Sequence, residues 1–166
     1  MSAVPVGSRR AALWLMGVFV TLALVAFIWG FAVVDEVRAR AKRVDVALRS
    51  TAWACLVYAD QEQAWPASDE ALADASAVWQ ETRLPSDGSW PGTRDEAMHG
   101  GAVIDSAEVA LKLVGLNASL DDAPPILHTR GNPSGIGTLA EVNGWLAARG
   151  KSLPKPKPTT GVPSSR

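Results

Sequence analysis

The chain has 166 residues, a formal net charge of −1 and one cysteine, and 48% of its residues are hydrophobic. These values exclude a disulfide scaffold and a multi-span transporter, and the hydrophobic residues are too unevenly distributed for a large soluble enzyme with a deep core. The composition indicates one membrane segment followed by a small domain.

Residues 11–34 form an apolar segment of 24 residues without a charged side chain. As a helix it measures about 36 Å, enough to cross a hydrocarbon core of about 30 Å. Trp14 and Trp29 lie near its two ends, where indole rings favour the membrane interface. The apolar part of a signal peptide is shorter, about 7–15 residues. The pattern therefore predicts a retained transmembrane helix at residues 11–34, preceded by a tail of residues 1–10.

Two pairs of small residues lie four positions apart within this segment, Gly17 with Thr21 and Ala26 with Gly30. Small residues at this spacing let two transmembrane helices approach closely. The spacing predicts that these four positions pack against another helix in the membrane.

The charges that flank the apolar segment give conflicting indications of its orientation. Five cations follow the segment within fifteen residues, and a bare count of lysines and arginines would keep that side in the cytoplasm. A short tail that ends in Arg9 and Arg10 is instead typical of an anchor with its N-terminus inside, and long C-terminal regions translocate despite nearby charge. We expect a single-pass protein of the bacterial inner membrane with its C-terminal domain extracytoplasmic.

The helix is predicted to continue beyond the membrane as an amphipathic stem over residues 35–63, since no glycine or proline occurs between Val34 and Pro66. A seam with alternating spacings of four and three runs along it, as in a heptad pattern. Its members are Val37, Ala41, Val44, Leu48, Thr51, Cys55 and Tyr58. Two alternatives follow: the seam packs on the chain's own small domain, or it packs against partners, including neighbouring copies.

The end of the stem carries the sequence Leu-Val-Tyr-Ala-Asp at residues 56–60, followed by Trp65 and Pro66. Over about residues 45–72 the chain resembles pseudopilins and type IV pilin-like proteins, whose long first helix ends in a tyrosine-alanine pair before an aromatic-proline turn. The resemblance implies a membrane-anchored assembly component with an extracytoplasmic domain. Those proteins also carry a glutamate inside the apolar segment, whereas this chain has no acidic residue before Asp35. Leader processing and glutamate-guided filament assembly are therefore not expected.

The small domain, residues 64–150, contains two similar turn–helix units about 25 residues apart. They begin at Trp65 and at Trp90, each followed by proline. Ser68 and Thr93 are placed to cap a short helix in each unit, with acidic residues in its first turn. The pattern predicts two short helices, each with an indole closing over it.

The rest of the domain is predicted to be mostly helical. Asp105 or Ser106 begins a helix to about Val114, stopped by Gly115 or Asn117. Its inward residues are Val109, Leu113 and Leu116, joined by Leu111 if the apolar stripe is wide. Residues 126–129 form the only predicted strand, and residues 131–137 form a tight loop.

A last helix is predicted from Thr138 to Arg149, with Gly150 at its end. Thr138 and Glu141 have the spacing of a capping box. The buried face of this helix consists of Leu139, Val142, Trp145 and Leu146. The expected fold is mainly α: one transmembrane helix, a long amphipathic stem helix, and a small mostly helical domain with at most a minor β element.

The remaining residues, 151–166, are rich in proline, lysine, serine and threonine and are predicted to form a disordered or polyproline-II tail. The charged residues are distributed unevenly along the chain. Residues 64–149 sum to −7, whereas residues 150–166 sum to +4.

Residues with catalytic chemistry are scarce. Glu96 and His99 lie three apart and, with Asp95 or His128, could hold a metal, but solvated surface histidines are the simpler interpretation. The loop at residues 131–137 lacks the Gly-Lys-Ser/Thr of a phosphate-binding loop. Cys55 is interpreted as a small buried hydrophobe. No catalytic, cofactor or metal site, nucleic acid or small-molecule substrate is expected.

Two functional classes remain, with a small membrane-tethered enzyme as a third alternative. The first is a non-enzymatic assembly or scaffold component of a secretion or envelope complex, in contact with other membrane or envelope proteins. The second is a bitopic accessory subunit held in a larger membrane complex mainly by its transmembrane helix.

Overall fold

A computed structural model describes residues 6–80, 82–118 and 123–153 of the chain, so the tail prediction for residues 154–166 lies outside the described residues. The chain divides into two compact units, Met1–Arg40 and Ala41–Arg166, which are treated separately below. The described residues are mainly helical. Their elements are α1 (Val6–Glu62), α2 (Asp69–Asp74), a 3-10 helix (Ser76–Trp79), α3 (Arg94–Met98), α4 (Ala107–Leu113), β1 (Gly115–Asn117), β2 (Ile126–His128) and α5 (Thr138–Ser152).

The first unit contains the N-terminal part of α1, and its apolar side chains are exposed on every face. Phe19, Ile28 and Trp29, for example, are each about two-thirds or more exposed. The helix is long and apolar enough to cross a bilayer, and it is the one such candidate among the described residues. This arrangement is consistent with a single-pass membrane protein.

Helix α1 continues without a break to Glu62, which confirms the prediction of a stem helix contiguous with the apolar segment. It ends where Gln63 adopts a left-handed backbone conformation with φ of 55°. The side-chain amide of Gln63 donates a 2.7 Å hydrogen bond through Nε2 to the carbonyl oxygen of Asp60. That bond satisfies one of the carbonyls that every helix leaves unpaired at its C-terminus.

In the second unit, the C-terminal part of α1 is the central element of the hydrophobic core. The buried residues here are Val44, Ala47, Leu48, every residue from 50 to 57, and Ala59. A helix that is buried on every face must be surrounded by other elements. The prediction of a single buried stripe is therefore wrong for this stretch, and the missed signal is its lack of charge: ten uncharged residues separate Arg49 from Asp60.

The two predicted short helices and their caps are present in the structure. The Ser68 side chain accepts a hydrogen bond from the Ala71 amide at the start of α2, and Thr93 accepts one from the Glu96 amide at the start of α3. The indole of Trp90 is buried and donates to the Pro85 carbonyl at 3.0 Å. Trp65 is partly buried and packs against the core.

A two-stranded antiparallel sheet follows α4, with Leu116 of β1 opposite Leu127 of β2. Strand β2 confirms the predicted strand, whereas β1 was not expected because its three residues include Gly115 and Asn117, which are poor strand formers. In α4, Leu111 is buried as expected. Val109 is 49% exposed, so the prediction that it faces inward is wrong.

Helix α5 begins differently from the prediction. Its N-cap is Gly137 in a left-handed conformation, without a side-chain capping bond, so the Thr138–Glu141 capping box is wrong. Thr138 is buried instead, and Glu141 points to other partners. The helix also runs beyond Gly150 to Ser152. Its predicted buried face is confirmed: Val142 and Leu146 are buried, and Leu139 and Trp145 pack against the core.

Candidate membrane helix and the polar cleft of the domain

The small residues of the apolar segment leave open space beside the helix. A side-chain carbon added at Gly17 or at Gly30 would meet no atom of the described chain within 4 Å. The Thr21 hydroxyl donates a 2.9 Å hydrogen bond to the Gly17 carbonyl, so its polar group is satisfied within the helix. Both glycine positions are therefore open to an approaching helix without leaving that hydroxyl unpaired.

The two small-residue pairs lie on different faces of the helix. At 3.6 residues per turn, each residue turns the helix by about 100°, so Ala26 lies about 180° around the axis from Gly17. The Phe27 and Phe31 rings pack edge to face beside Gly30, with centroids 4.7 Å apart. They help to line a shallow groove of about 370 Å³. The segment thus offers two separate faces for helix packing.

Two ion pairs follow the apolar segment. Arg38 lies 3.8 Å from Asp35, and Arg40 lies 3.3 Å from Glu36, all within one to two turns of helix. All four side chains are largely exposed. Exposed pairs of this kind contribute little to stability. Their effect is to balance locally the charge of two of the five cations that follow the segment.

The structure distributes the predicted seam between different environments. Val37 is 50% exposed, and Ala41 and Tyr58 are partly buried. The other four seam residues are fully buried within the chain's own second unit: Val44, Leu48, Thr51 and Cys55. Of the two alternatives for the seam, these four residues follow the first, packing on the chain's own domain.

Cys55 lies within this core and has the properties of a buried hydrophobe. Burial raises the pKa of its thiol far above the usual 9.0, and the negative charge of Asp69 raises it further. The reactive thiolate is therefore suppressed in the folded protein.

Glu141 is the centre of a polar cluster that sequence analysis missed. Its Oε2 atom accepts a 3.1 Å hydrogen bond from Arg49 of α1, and its Oε1 atom lies 3.1 Å from Nε2 of His99. His99 ends α3 in a left-handed conformation with φ of 52°, which turns its ring out of the helical path. Glu141 therefore joins α1, α3 and α5. Its spacing from Thr138 had indicated a cap, and no local signal identifies such distant partners.

Glu96 does not join His99 in a metal site. Its Oε2 atom accepts a 2.8 Å hydrogen bond from the Gly92 amide and so closes the turn that precedes α3. His128 lies on β2, where its ring faces Gly115 of β1. Within the described residues, no group of three or more histidine, cysteine, aspartate or glutamate side chains is placed to hold a metal ion.

A small cleft of about 150 Å³ adjoins this cluster. Its lining combines two indoles, two carboxylates and one imidazole, from Gly88, Ser89, Trp90, Pro91, Glu96, His99, Glu141 and Trp145. The Arg149 guanidinium lies 5.5 Å from the centroid of the Trp90 ring and also bonds Asp60 at 2.6 Å. We call this feature the acidic cleft. Its polar groups and aromatic rings suit a cationic side chain.

A second, open cleft of about 490 Å³ lies between α2 and α4. Asp69 at its edge accepts a 2.9 Å hydrogen bond from the Leu116 amide and pairs with Arg130. Arg130 also donates to the Val114 carbonyl at 3.1 Å. The charged groups at this edge thus tie α2 to the sheet.

Searches against protein-family models, curated proteins and solved structures found no match for this chain. The resemblance to pilin-like proteins therefore rests on the residues around 45–72 alone.

Proposed function

We propose that this protein is a membrane-anchored, non-enzymatic assembly or scaffold component of a secretion or envelope complex. In this proposal it lies in a bacterial inner membrane with its domain outside the cytoplasm and is pseudopilin-like in architecture. The observation that carries the proposal is the division of α1. Residues 11–34 bury nothing against the described residues, whereas most residues from 44 to 59 are buried at the centre of the core of the domain.

The exposed apolar side chains of residues 11–34 are stable in a lipid bilayer but not in water. The consecutive large side chains of Leu13, Trp14, Leu15 and Met16 are each 65% or more exposed. Consecutive residues are turned about 100° around the helix axis, so these four side chains lie on all faces of the helix. In water such a surface would drive aggregation, because contiguous apolar patches of this size do not persist on soluble monomers. In a bilayer the same surface is solvated, and the helix satisfies its own backbone hydrogen bonds. These properties support the membrane anchor.

The core and the exposed apolar side chains of the second unit support the scaffold function. Its core is built around the continuation of the same helix, an arrangement that the resemblance to pilin-like proteins leads one to expect. Among the described residues of this unit, the most exposed large apolar side chains are Ile126, at 62% exposure, and Ile136, which is fully exposed. We assign contacts with envelope partners to these two side chains and to the membrane helix.

The orientation is tested with two reporters fused in turn to the C-terminus of the full chain. One reporter is active only outside the cytoplasm and the other only inside it. The proposal expects activity from the first reporter and none from the second at equal expression. Activity from the second reporter alone would exclude the extracytoplasmic domain and with it the pseudopilin-like architecture.

A second candidate function is a bitopic accessory subunit held mainly through the membrane helix. The open space around Gly17 and Gly30 favours it, since leucine at either position would obstruct a closely packed partner helix. Gly30→Leu is compared with Ile126→Glu and Ile136→Glu, and copurification from membranes in mild detergent is measured. Loss of the complex with Gly30→Leu alone supports the accessory subunit, whereas loss with the two domain variants alone supports the scaffold. Val44 and Leu48 are unsuitable for this comparison because a glutamate there would disrupt the core.

A further inference from the structure

Two features of the second unit complement each other: the exposed side chain of Ile136 and the open cleft between α2 and α4. We propose that Ile136 of one copy of the chain enters this cleft of a second copy, with Lys42 of the first copy at Glu70 of the second. The inference rests on the proposed scaffold function, and it names one partner of the scaffold, the chain itself.

Ile136 lies on a loop that is held against α1. Among the described residues of the second unit, its side chain is the most exposed large apolar one, and it stands between Gly135 and Gly137. The Gly135 amide donates a 2.7 Å hydrogen bond to the Asp45 carboxylate. A side-chain carbon at Gly135 would lie 2.5 Å from that carboxylate, so the glycine allows this close approach. The isoleucine is therefore presented to its surroundings on a fixed support.

The cleft between α2 and α4 has an apolar lining that this side chain suits. Its volume is about 490 Å³, and most of its exposed surface is apolar. The lining includes Ala73 and Ala107, which are partly buried, and Leu111, which is buried. The small side chains of the two alanines leave room for a branched aliphatic group. Of the described residues, those at 131–137 do not line the cleft, so a second copy must supply the isoleucine. The contact would remove apolar surface of both copies from water.

The charges beside the two surfaces are complementary. Lys42 is exposed one turn before Asp45, on the same face of α1. Glu70 is exposed in the lining of the cleft. Within the described part of the chain, neither Lys42 nor Glu70 forms an ion pair, whereas the other charged residues of the lining are paired with one another. Two copies joined at the cleft supply each of these two groups with an opposite charge.

The two surfaces lie at different levels along α1. The loop of Ile136 is held at Asp45, whereas the charge of Asp69, at the edge of the cleft, acts on Cys55. Residues 45 and 55 are about 15 Å apart along the helix axis. A contact between different surfaces of two copies is heterologous, so each pair retains one open cleft and one exposed isoleucine. Further copies add at these positions and form a ring or an open row.

The membrane anchor makes a contact of this size effective. One isoleucine and one exposed ion pair bind weakly between molecules that diffuse freely in water. Anchored copies share one bilayer, which raises their effective concentration. The test therefore uses the full chain in lipid vesicles.

The experiment maps the surroundings of position 136 by photocrosslinking. Unlabelled protein carries a photoreactive aliphatic diazirine residue in place of Ile136, and it is reconstituted with an equal amount of ¹⁵N-labelled, unmodified protein. Crosslinked peptides are identified by mass spectrometry after irradiation. The proposal expects position 136 to be joined to labelled peptides that contain residues 69–73 or 106–112, in preference to every other labelled peptide.

The other outcomes overturn the proposal. Crosslinks to lipid alone would show that the membrane surface receives Ile136, and crosslinks to unlabelled peptides alone would show a contact within one chain. Labelled peptides from elsewhere in the chain would place the contact outside the cleft. The same diazirine residue at Ile126 is the matched control, because Ile126 is also exposed but lies on β2. An equal preference for the cleft from position 126 would also contradict the proposal.

A charge exchange tests the contact without altering the core, since Lys42 and Glu70 are both exposed. Lys42→Glu in the diazirine-bearing copy places like charges together and should lower the yield at the cleft about two- to fivefold. Glu70→Lys in the labelled copy should then restore it, because the pair is opposite again. An unchanged yield with Lys42→Glu, or no recovery with the second change, would overturn the assigned contact.

Failure of this inference is distinguishable from failure of the proposed function. If the extracytoplasmic reporter is active but no crosslink reaches the cleft, the scaffold proposal stands with other partners and the contact between copies is wrong. If only the cytoplasmic reporter is active, the scaffold proposal fails, while the crosslinks in vesicles still measure the contact between copies.

Discussion

The assignment of the heptad-like seam to the chain's own core predicts different effects at two of its positions. Leu48 is fully buried, whereas Val37 is 50% exposed. Replacing Leu48 with alanine removes three carbon atoms from the core, a loss of about 2.4 kcal/mol of transfer free energy at about 0.8 kcal/mol for each. The cavity left behind adds to this, so we expect Leu48→Ala to lower the free energy of unfolding by about 2–5 kcal/mol. Val37→Ala should change it by less than about 0.5 kcal/mol.

The assay is urea unfolding of the full chain in a fixed detergent, followed by tryptophan fluorescence, to which the buried Trp53, Trp79 and Trp90 contribute. The oligomeric state of both variants is measured in parallel. If Leu48→Ala leaves the unfolding free energy within 1 kcal/mol of the parent but reduces self-association, the seam contacts partners and the burial argument is refuted. A loss with Val37→Ala as large as that with Leu48→Ala would also contradict it.

Three more predictions concern buried polar groups of the second unit. Among the described residues, the Thr51 hydroxyl is buried without a hydrogen-bond partner, so Thr51→Val should raise the unfolding free energy by about 1 kcal/mol or more in the same urea assay, and a decrease would contradict this reading. Burial raises the pKa of Cys55, so the stability that its neutral thiol provides is complete below pH 9.0 and declines above it. From about pH 9 to 11 the free energy of unfolding of the parent should fall by up to about 1.4 kcal/mol per pH unit more than that of Cys55→Ala. Parallel pH profiles of the two proteins would contradict the burial. Arg149 both pairs with Asp60 and stacks on Trp90, so Arg149→Lys should keep the charge yet lose about 1 kcal/mol of stability by thermal unfolding, and full retention would show that the stacking contributes nothing.

The parts of the fold that depend on neighbouring residues could be predicted from the sequence. The continuous helix follows from the absence of glycine and proline between Val34 and Pro66. The caps at Ser68 and Thr93 follow from residues three positions apart. The buried face of α5 follows from the spacing of its apolar residues. Each of these signals lies within one or two turns of the structure that it specifies.

The parts that depend on distant residues could not be predicted. Glu141 has the spacing of a capping residue, yet it binds Arg49, 92 residues away, and His99. Arg49 offers the Glu141 carboxylate a full opposite charge, whereas a capping box would offer it only a backbone amide, and the left-handed Gly137 starts the helix without a side-chain cap. Strand β1 exists because Gly115–Asn117 pairs with β2, and its own residues carry little strand preference. The acidic cleft combines groups from three separate stretches of the chain.

The two uncharged stretches of α1 show that periodicity alone does not predict whether lipid or protein surrounds a helix. Residues 11–34 and the ten residues between Arg49 and Asp60 both lack charge, and neither has a polar face. Length separates them: 24 residues span about 36 Å and suit a bilayer, whereas ten residues span about 15 Å and fall far short of one. The shorter stretch must therefore be covered by protein. The heptad-like seam predicts one contact face for this stretch. Its lack of charged residues instead requires contacts on all sides, and the domain that follows in the chain supplies those contacts.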